Sequence, residues 1–367
     1  MKILWISGRS LDSDLAGTTE LSICNSISKK GHIVELISPG KKINDVAFEH
    51  TIIKKMRIPG LNTISSSIDL KYLLRDMNKE QNNIDVILVD WRYVYFLHKS
   101  LKKFGVPWII IDRGPPAYDG VLKKLQKWFW KKAWKISELN AIGGFVVSPA
   151  HKKLVKEFNE ISMKIRIIPA GCTENRYLKN LKTDPNNLLK IIYIGRLDKR
   201  RGINSIINLA KNLDKETFNY KISIYGTGDF EKIIKRYSEH NKKITYYGTV
   251  NRIEIQRLLA GNHIGIMPMP DILVWNIAST LKLAEYMSAG LIIIGPKHEG
   301  NQINGEDIWN FLSPKEENWE LDAVEQIKKY RNSKWLDITK SAVKDSKEYN
   351  WDNIAKILIN HMIDLKG

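Results

Sequence analysis

The run Ile264–Pro296, IGIMPMPDILVWNIASTLKLAEYMSAGLIIIGP, decides the fold. It reads as a short buried strand ending in a proline-rich loop, a helix opening near Ser279 and Thr280, and a second apolar strand, Leu291–Ile294. Such a strand-loop-helix-strand unit belongs to a parallel α/β sheet. There the loop and the helix N-terminus lie beyond the carboxyl ends of the strands, where backbone N–H groups favour an anion such as phosphate. The helix carries one acid, Glu285, whose ionised carboxylate can accept hydrogen bonds from sugar hydroxyls. The plain alternative is a helix capped by Ser279 or Thr280 with Glu285 solvated on its outer face.

Working back from that stretch, strands and helices alternate: strand Ile191–Ile194, helix Ile203–Leu213, strand Ile222–Tyr225, helix Phe230–Tyr237, strand Ile244–Tyr247 and helix Ile253–Ala260. Three strand ends carry glycine, at Gly195, at Gly226 with Gly228, and at Gly248. In GRLDKRRG, Gly195–Gly202, Arg196 follows a strand and Arg201 precedes a helix. Two planar guanidiniums beside a helix N-terminus suit a diphosphate; an exposed basic loop in a basic protein is the alternative.

The first half has the same rhythm, with strands at Ile3–Ile6, Ile33–Ile37, Val86–Val89, Trp108–Ile111, Phe145–Val147 and Ile165–Ile168. Gly17 lies in a long first loop, where glycine lets backbone approach a ligand or merely eases a turn. Residues 39–66 lack periodicity and read as an irregular excursion. Strand Trp108–Ile111 ends in Asp112, Arg113 and Gly114, charge at a strand end where open α/β folds place chemistry; an ion pair or helix cap is the other reading. The polar stretch Asn180–Asn187 is taken as the linker. The domains expected are 1–180 and 181–350, with a last helix from Trp351.

The bulk properties agree with two domains. A chain of 367 residues is long for one core. A hydrophobic content of 43% with 27% charged residues excludes disorder. Cys24 and Cys172 form no metal or disulfide pattern, and a reducing cytoplasm fits. The apolar run Leu4–Ile6 is too short for a signal peptide, and no run is long enough to span a bilayer. A net charge of +18 points to a polyanionic partner: nucleic acid, anionic membrane or a phosphorylated small molecule.

GRLDKRRG resembles the "GRL…KG" signature, and STLKLAEYMSAGLIII the "SPLKLFEYMAAGKPII" segment, of retaining nucleotide-sugar glycosyltransferases with the GT-B fold (glycosyl transferases group 1, glycosyltransferase family 4-like). AGTTELSICNSISKKGHIVELIS, KIRIIPAGCTENRY and IYGTGDFEKII with ITYYGTV are similar to weaker family segments. The resemblance implies an α/β architecture of two Rossmann-like, doubly wound parallel-sheet domains facing a central cleft, with the last helix, 351–367, crossing back to the first domain. It implies an NDP-sugar donor, UDP- or GDP-linked, and no further cofactor. Arg196 and Arg201 would hold the diphosphate, Glu285 the ribose, and Ser279, Thr280 and Leu281 would offer backbone donors. Val250 would lie near the base, Gly195 and Gly226 at the nucleotide strand ends, and Gly17 beside donor and acceptor.

Two departures stand out. Ile277 occupies the position of a second family glutamate. Asp112 and Arg113 stand where a family histidine is frequent, so that Asp112 orienting an acceptor hydroxyl and Arg113 binding an acceptor phosphate are both open. The chemistry needs no metal in this reading: Asp12 and Asp14 have metal-pair spacing but are taken as solvated, and the histidines are scattered.

One further stretch, VLKKLQKWFWKKAWKI from Val121 to Ile136, places Leu122, Leu125, Phe129, Ala133 and Ile136 on an apolar stripe expected in the core. Lys123, Lys127, Lys131 and Lys135 line the opposite side, with Trp130 and Trp134 at its border. Lysine edged with tryptophan suits anionic lipid, whence a lipid-linked or glycan acceptor and a peripheral position at the inner, cytoplasmic face of the membrane. The rival readings are a nucleic-acid-binding protein, for which no known motif is present, a sugar-nucleotide epimerase, and a non-catalytic partner subunit.

Overall fold

The computed structural model describes residues 1–12, 17–54, 62–79, 83–116, 120–178, 182–301, 309–313 and 317–367. Asp14, Asn180 and the side chains of Val121 and Leu122 lie outside the described set. The chain divides into two compact units, one formed by Met1–Ala170 with Trp351–Gly367 and the other by Gly171–Asn350. The division falls at Gly171, before the polar stretch that the sequence marks as the linker.

The first unit is built on a seven-stranded, all-parallel sheet of order β3-β2-β1-β4-β5-β6-β7. Its strands are β1 (Lys2–Ile6), β2 (Ile33–Pro39), β3 (Glu49–Ile53), β4 (Val86–Asp90), β5 (Trp108–Ile111), β6 (Gly143–Val146) and β7 (Ile165–Ile167). Helices α1 (Gly17–Lys29), α2 (Asn62–Lys79), α3 (Trp91–Phe104), α4 (Gly120–Asn140) and α5 (Pro149–Asn159) connect them. Central strands read as near-continuous apolar runs because both faces are covered; β4, VILVD, is buried at every position. Strand β3, at the sheet edge, replaces part of the expected excursion. One of its inward side chains is His50, which bonds Ser38 Oγ at 2.8 Å, so apolar alternation does not reveal it.

The second unit has a six-stranded parallel sheet of order β10-β9-β8-β11-β12-β13. The strands are β8 (Leu189–Ile194), β9 (Tyr220–Tyr225), β10 (Ile244–Tyr246), β11 (Ile264–Ile266), β12 (Ile292–Pro296) and β13 (Asn310–Ser313). Helices α6 (Ile203–Leu213), α7 (Glu231–His240), α8 (Arg252–Ala260), α9 (Leu273–Asn276), α10 (Leu281–Ser288), α11 (Trp319–Arg331) and α12 (Trp335–Ser346) surround it. Its order reverses between β8 and β11, the kind of switch point where open sheets bind ligands. Near its root the unit's two ends meet: Cys172 bridges to Asn350 and donates its N–H to the Tyr349 carbonyl at 2.8 Å.

The last helix, α13 (Trp351–Lys366), belongs to the first unit. Leu365 fills the space over Gly143, where a β-carbon would stand 2.7 Å from it. Arg166 pairs with Asp364, and Lys366 reaches Asp85 at 3.5 Å.

Candidate functional site

In the second unit, α10 buries Leu283, Ala284, Tyr286, Met287 and Ser288, which leaves Leu281, Lys282 and Glu285 on its less covered side. The helix docks closely because β11 has Gly265 under Tyr286; a β-carbon there would stand 2.3 Å from the ring. Thr280 is the N-cap residue, but its side chain makes no cap hydrogen bond; its hydroxyl reaches Asn301 Oδ1 at 3.1 Å. The helix therefore begins without a side-chain acceptor from Thr280 on its first N–H groups, the arrangement that leaves donors for an anion. Ser279 and Leu281 flank it, half-buried. Ile277 is buried in the short turn before it, a core side chain in place of a carboxylate.

The glycines at the ends of β8 and β9 bring backbone close to backbone. Gly226 has φ +134°, and a β-carbon on it would lie 1.8 Å from the Gly195 carbonyl oxygen. Beyond them, Arg196 is held by Asp198 in a two-point contact, Nε–Oδ2 2.7 Å and Nη2–Oδ1 3.1 Å. That side chain is half exposed, so the pair contributes little to stability. Arg201 lies over the Trp275 ring, 4.8 Å from its centre, and the Trp275 indole donates to the Arg200 carbonyl at 2.7 Å. Short helix α9 thus fixes the arginine turn. Val250 packs at the edge of this unit's core, and near it the rings of Tyr225 and Tyr247 stack at 4.8 Å.

Lys282, which the sequence reading passed over, sits among these groups. Its Nζ lies 4.2 Å over the Tyr193 ring and has no hydrogen-bond partner. Burial, then Arg201, pulls its pKa well below the ordinary lysine value, with Glu285 opposing. A lysine two residues after the helix-opening threonine is the signal that could have found it.

The strand ends of the first unit are different. Asp112 is fully buried; it accepts from the indoles of Trp130 at 2.6 Å and Trp134 at 3.0 Å and from the Gly114 N–H at 3.0 Å, and it faces His151 Nε2 at 3.4 Å. Burial pushes its pKa up, but His151, the Trp130 indole and the Gly114 amide outweigh that and hold it below the ordinary carboxylate value. This is the geometry of a brace joining β5, α4 and α5. Arg113 is half-buried and donates to the Ile168 carbonyl at 3.3 Å; burial and the neighbouring Arg9 pull it to about 10, with Glu20 opposing.

Glu20, in the first turn of α1 just after the buried Gly17, is enclosed by Ser7, which donates to it, and Arg9 at 3.7 Å. Burial raises its pKa to about 7 against the pull of Arg9. Ser7, Arg9, Glu20 and Arg113 thus gather at the ends of β1 and β5. Arg9, which follows the first strand, is visible as a charge at a strand end, whereas no local pattern marks Glu20.

Trp130 and Trp134 are core residues, 2% and 0% exposed. This corrects their expected place at a lipid-facing border: each indole N–H needs a partner when buried, and Asp112 supplies it. The buried stripe of α4 is accordingly Trp130, Ala133, Trp134 and Ser137, rotated from the aliphatic one, and Leu125 is half exposed. Lys127 and Lys131 place their ammonium groups 4.1 and 4.2 Å over the Phe158 ring. Lys123 and Lys135 are exposed. So is Trp128, edge-on to Tyr95 and Phe129 at 5.5 and 4.9 Å. Asp12 is exposed, and among the described residues no three His, Cys, Asp or Glu side chains are grouped to hold a metal ion. No described helix is long and apolar enough to cross a membrane.

Two doubly wound parallel sheets, the second with a helix start and a cationic turn at its switch point, define the GT-B class of fold. Residues 189–329, nearly the whole of the second sheet and its helices, match the model of the family described as Glycosyl transferases group 1. The second unit thus carries a Glycosyl transferases group 1 segment, on the GT-B fold.

The fold is similar to that of sucrose-phosphate synthase from Thermosynechococcus elongatus, with a TM-score of 0.76 at 14% identity over 100% of this chain and 99% of that one. It is similar to Anabaena HepE in complex with UDP, with a TM-score of 0.73 at 14% identity over 99% and 100%. WaaG, a glycosyltransferase involved in lipopolysaccharide biosynthesis, gives 0.67 at 12% identity over 96% and 97%. The search of curated proteins gave no significant match.

Proposed function

We propose that the chain transfers a sugar from a UDP- or GDP-linked donor to a lipid-linked or glycan acceptor, with retention of configuration and without a metal. The observation that carries the donor half is the start of α10, uncapped by the Thr280 side chain, with Arg201 and Glu285 beside the Gly195 strand end. The diphosphate sits against that helix start and Arg201, the ribose hydroxyls on Glu285, and the base toward Val250. As the glycosidic bond breaks, negative charge grows on the leaving phosphate; fixed cationic donors stabilise that growth more than the ground state. Arg196 contributes after exchanging its Asp198 contact for phosphate. Retention and the sugar-side contacts rest on the family resemblance, and HepE's complex with UDP supports the choice of nucleotide.

For the acceptor half, Arg113 with Arg9 offers cationic donors at the ends of β5 and β1 to a phosphate-bearing acceptor. A second observation supports an anionic membrane surface: the exposed side of α4 presents Leu125 and Trp128 among Lys123, Lys124, Lys132 and Lys135. An apolar edge set in lysines suits a lipid interface, each lysine adding about 1 kcal/mol.

The donor reading is tested by thermal shift with UDP, GDP, ADP and dTDP. Selective stabilisation by one nucleotide, lost in Arg201→Ala and Glu285→Ala, is expected by mass action; no shift with any nucleotide refutes it. Sedimentation with anionic but not neutral vesicles, weakened in Trp128→Ser, is expected for the surface.

A further inference from the structure

We propose that Lys282 is a phosphate-binding residue of the donor site, its ammonium kept without a hydrogen-bond partner so that a diphosphate oxygen supplies the missing acceptor. The inference rests on the donor reading above and adds a group to it. An ammonium has three donors and no acceptor, and buried polar groups are almost always satisfied. Here Nζ is shut off from solvent and bonds to nothing. A flexible lysine on a half-covered helix face has ready access to water, so this enclosure is specific to the site.

The room is made by Gly195: a β-carbon there would stand 2.6 Å from Nζ and 2.8 Å from Cε. The Tyr193 ring forms the floor, and the tyrosine hydroxyl, which donates to the Arg196 carbonyl at 2.7 Å, ties that floor to the arginine loop. The ammonium therefore lies at the junction of the Gly195 strand end, the arginine turn and the first turn of α10. Arg196 is occupied by Asp198, which leaves Arg201 and Lys282 as cations without a carboxylate held against them in a two-point contact.

The charged and titratable groups around Nζ are Arg201 from the turn after β8, Tyr193 from β8, and Glu285 and Tyr286 from α10 itself, with Asp198 acting on Tyr193. Arg201 disfavours the ammonium and Glu285 favours it, while burial without a partner weighs most and holds the pKa well below the ordinary lysine value. An arriving diphosphate reverses this. Its negative charge raises the lysine pKa and favours the ammonium, so nucleotide binding is linked to proton uptake at this side chain. Affinity then falls as pH rises through the range in which the liganded lysine loses its proton.

The test is calorimetric titration of UDP into the full chain at about pH 8, above the second phosphate ionisation at about 6, in buffers of different ionisation enthalpy. Net proton uptake is expected for the wild type. Lys282→Met is expected to weaken UDP about 10- to 100-fold, to abolish the uptake, and to leave the melting temperature of the unliganded protein unchanged or higher. Lys282→Arg, which keeps a charge, recovers part of the affinity without the uptake. Wild-type affinity and uptake in Lys282→Met overturn the inference and leave the donor reading standing. No binding of UDP, GDP, ADP or dTDP by the wild type overturns both. If Lys282→Met fails to fold, Lys282→Gln and the wild-type proton balance decide, and absence of uptake counts against the role.

Discussion

The carboxyl ends of the strands in the two units hold similar residue types and use them oppositely. Beyond β8 the arginines outnumber Asp198, and the backbone is drawn tight by glycine; Lys282 Nζ has no hydrogen-bond partner, and the Thr280 side chain leaves the start of α10 uncapped. At β4 and β5 the acids are turned inward: Asp90 caps α3 and pairs with Arg92 at 2.7 Å, and Asp112 holds two indoles, an amide and a histidine. A place in the topology makes a site available, and unspent hydrogen-bonding capacity turns it into one. Substitutions at corresponding strand ends should accordingly separate into losses of stability and losses of binding.

The largest effect is expected where backbone meets backbone. Gly226→Ala puts a β-carbon 1.8 Å from a carbonyl at φ +134° and should cost about 4 kcal/mol in urea unfolding, from overpacking and strain together. Gly248→Ala, at φ +72° with its nearest neighbour at 3.9 Å, should cost about 1 kcal/mol. Equal losses would remove the close approach of the two strand ends from the account.

Asp112→Ala should destabilise by about 3 kcal/mol, since two indole N–H groups lose their buried acceptor and His151 its neighbouring carboxylate. If Asp112→Ala instead kept stability and lost acceptor turnover, the brace would be a catalytic group and the contrast between the units would break.

Glu20 sharpens it through pH. The folded carboxyl keeps its proton to about 7, whereas its ordinary value is 4.5. Its contribution to stability is therefore present below about 4.5 and lost as pH rises through about 7. Glu20→Gln should remove this slope, worth up to about 3 kcal/mol, in unfolding followed across that window. A parallel pair of pH curves would show the carboxyl to be ionised throughout.

The smallest effect separates the two arginines. Arg201→Ala should weaken UDP by about tenfold or more, and Arg196→Ala by less, because Arg196 gives up Asp198 to bind. Both should leave unfolding midpoints within about 0.5 kcal/mol of wild type. The reverse order would make Arg196 the principal phosphate ligand.

Much of the fold is legible because parallel strands covered on both faces are written as unbroken apolar runs, and β5 and α6 begin and end where the runs do. Where inward positions are polar the pattern fails: β3 turns His50 inward, and β13, Asn310–Ser313, has too little apolar sequence to stand out. Helix α4 shows a deeper reason. Its aliphatic residues define one stripe, but its buried face is chosen by indole N–H groups that reach an aspartate 18 and 22 residues earlier, a pairing no local period encodes. The proposed donor site is read from arginines, glycines and Glu285. Lys282 is not, because what distinguishes it is a missing partner.

The meeting of Cys172 with Asn350 has a consequence for how the polypeptide can be cut and rejoined. The second unit is a guest inserted into a host: the chain enters it once after Ala170 and leaves it once before Trp351, so the host is assembled from two separate segments, Met1–Ala170 and Trp351–Gly367. Because the guest's own ends lie side by side, residues 171–350 form a cassette that can be excised, or reconnected end to end and reopened elsewhere, without stretching either terminus. A single protease cut within the guest would likewise leave both halves of the host joined to a piece of it.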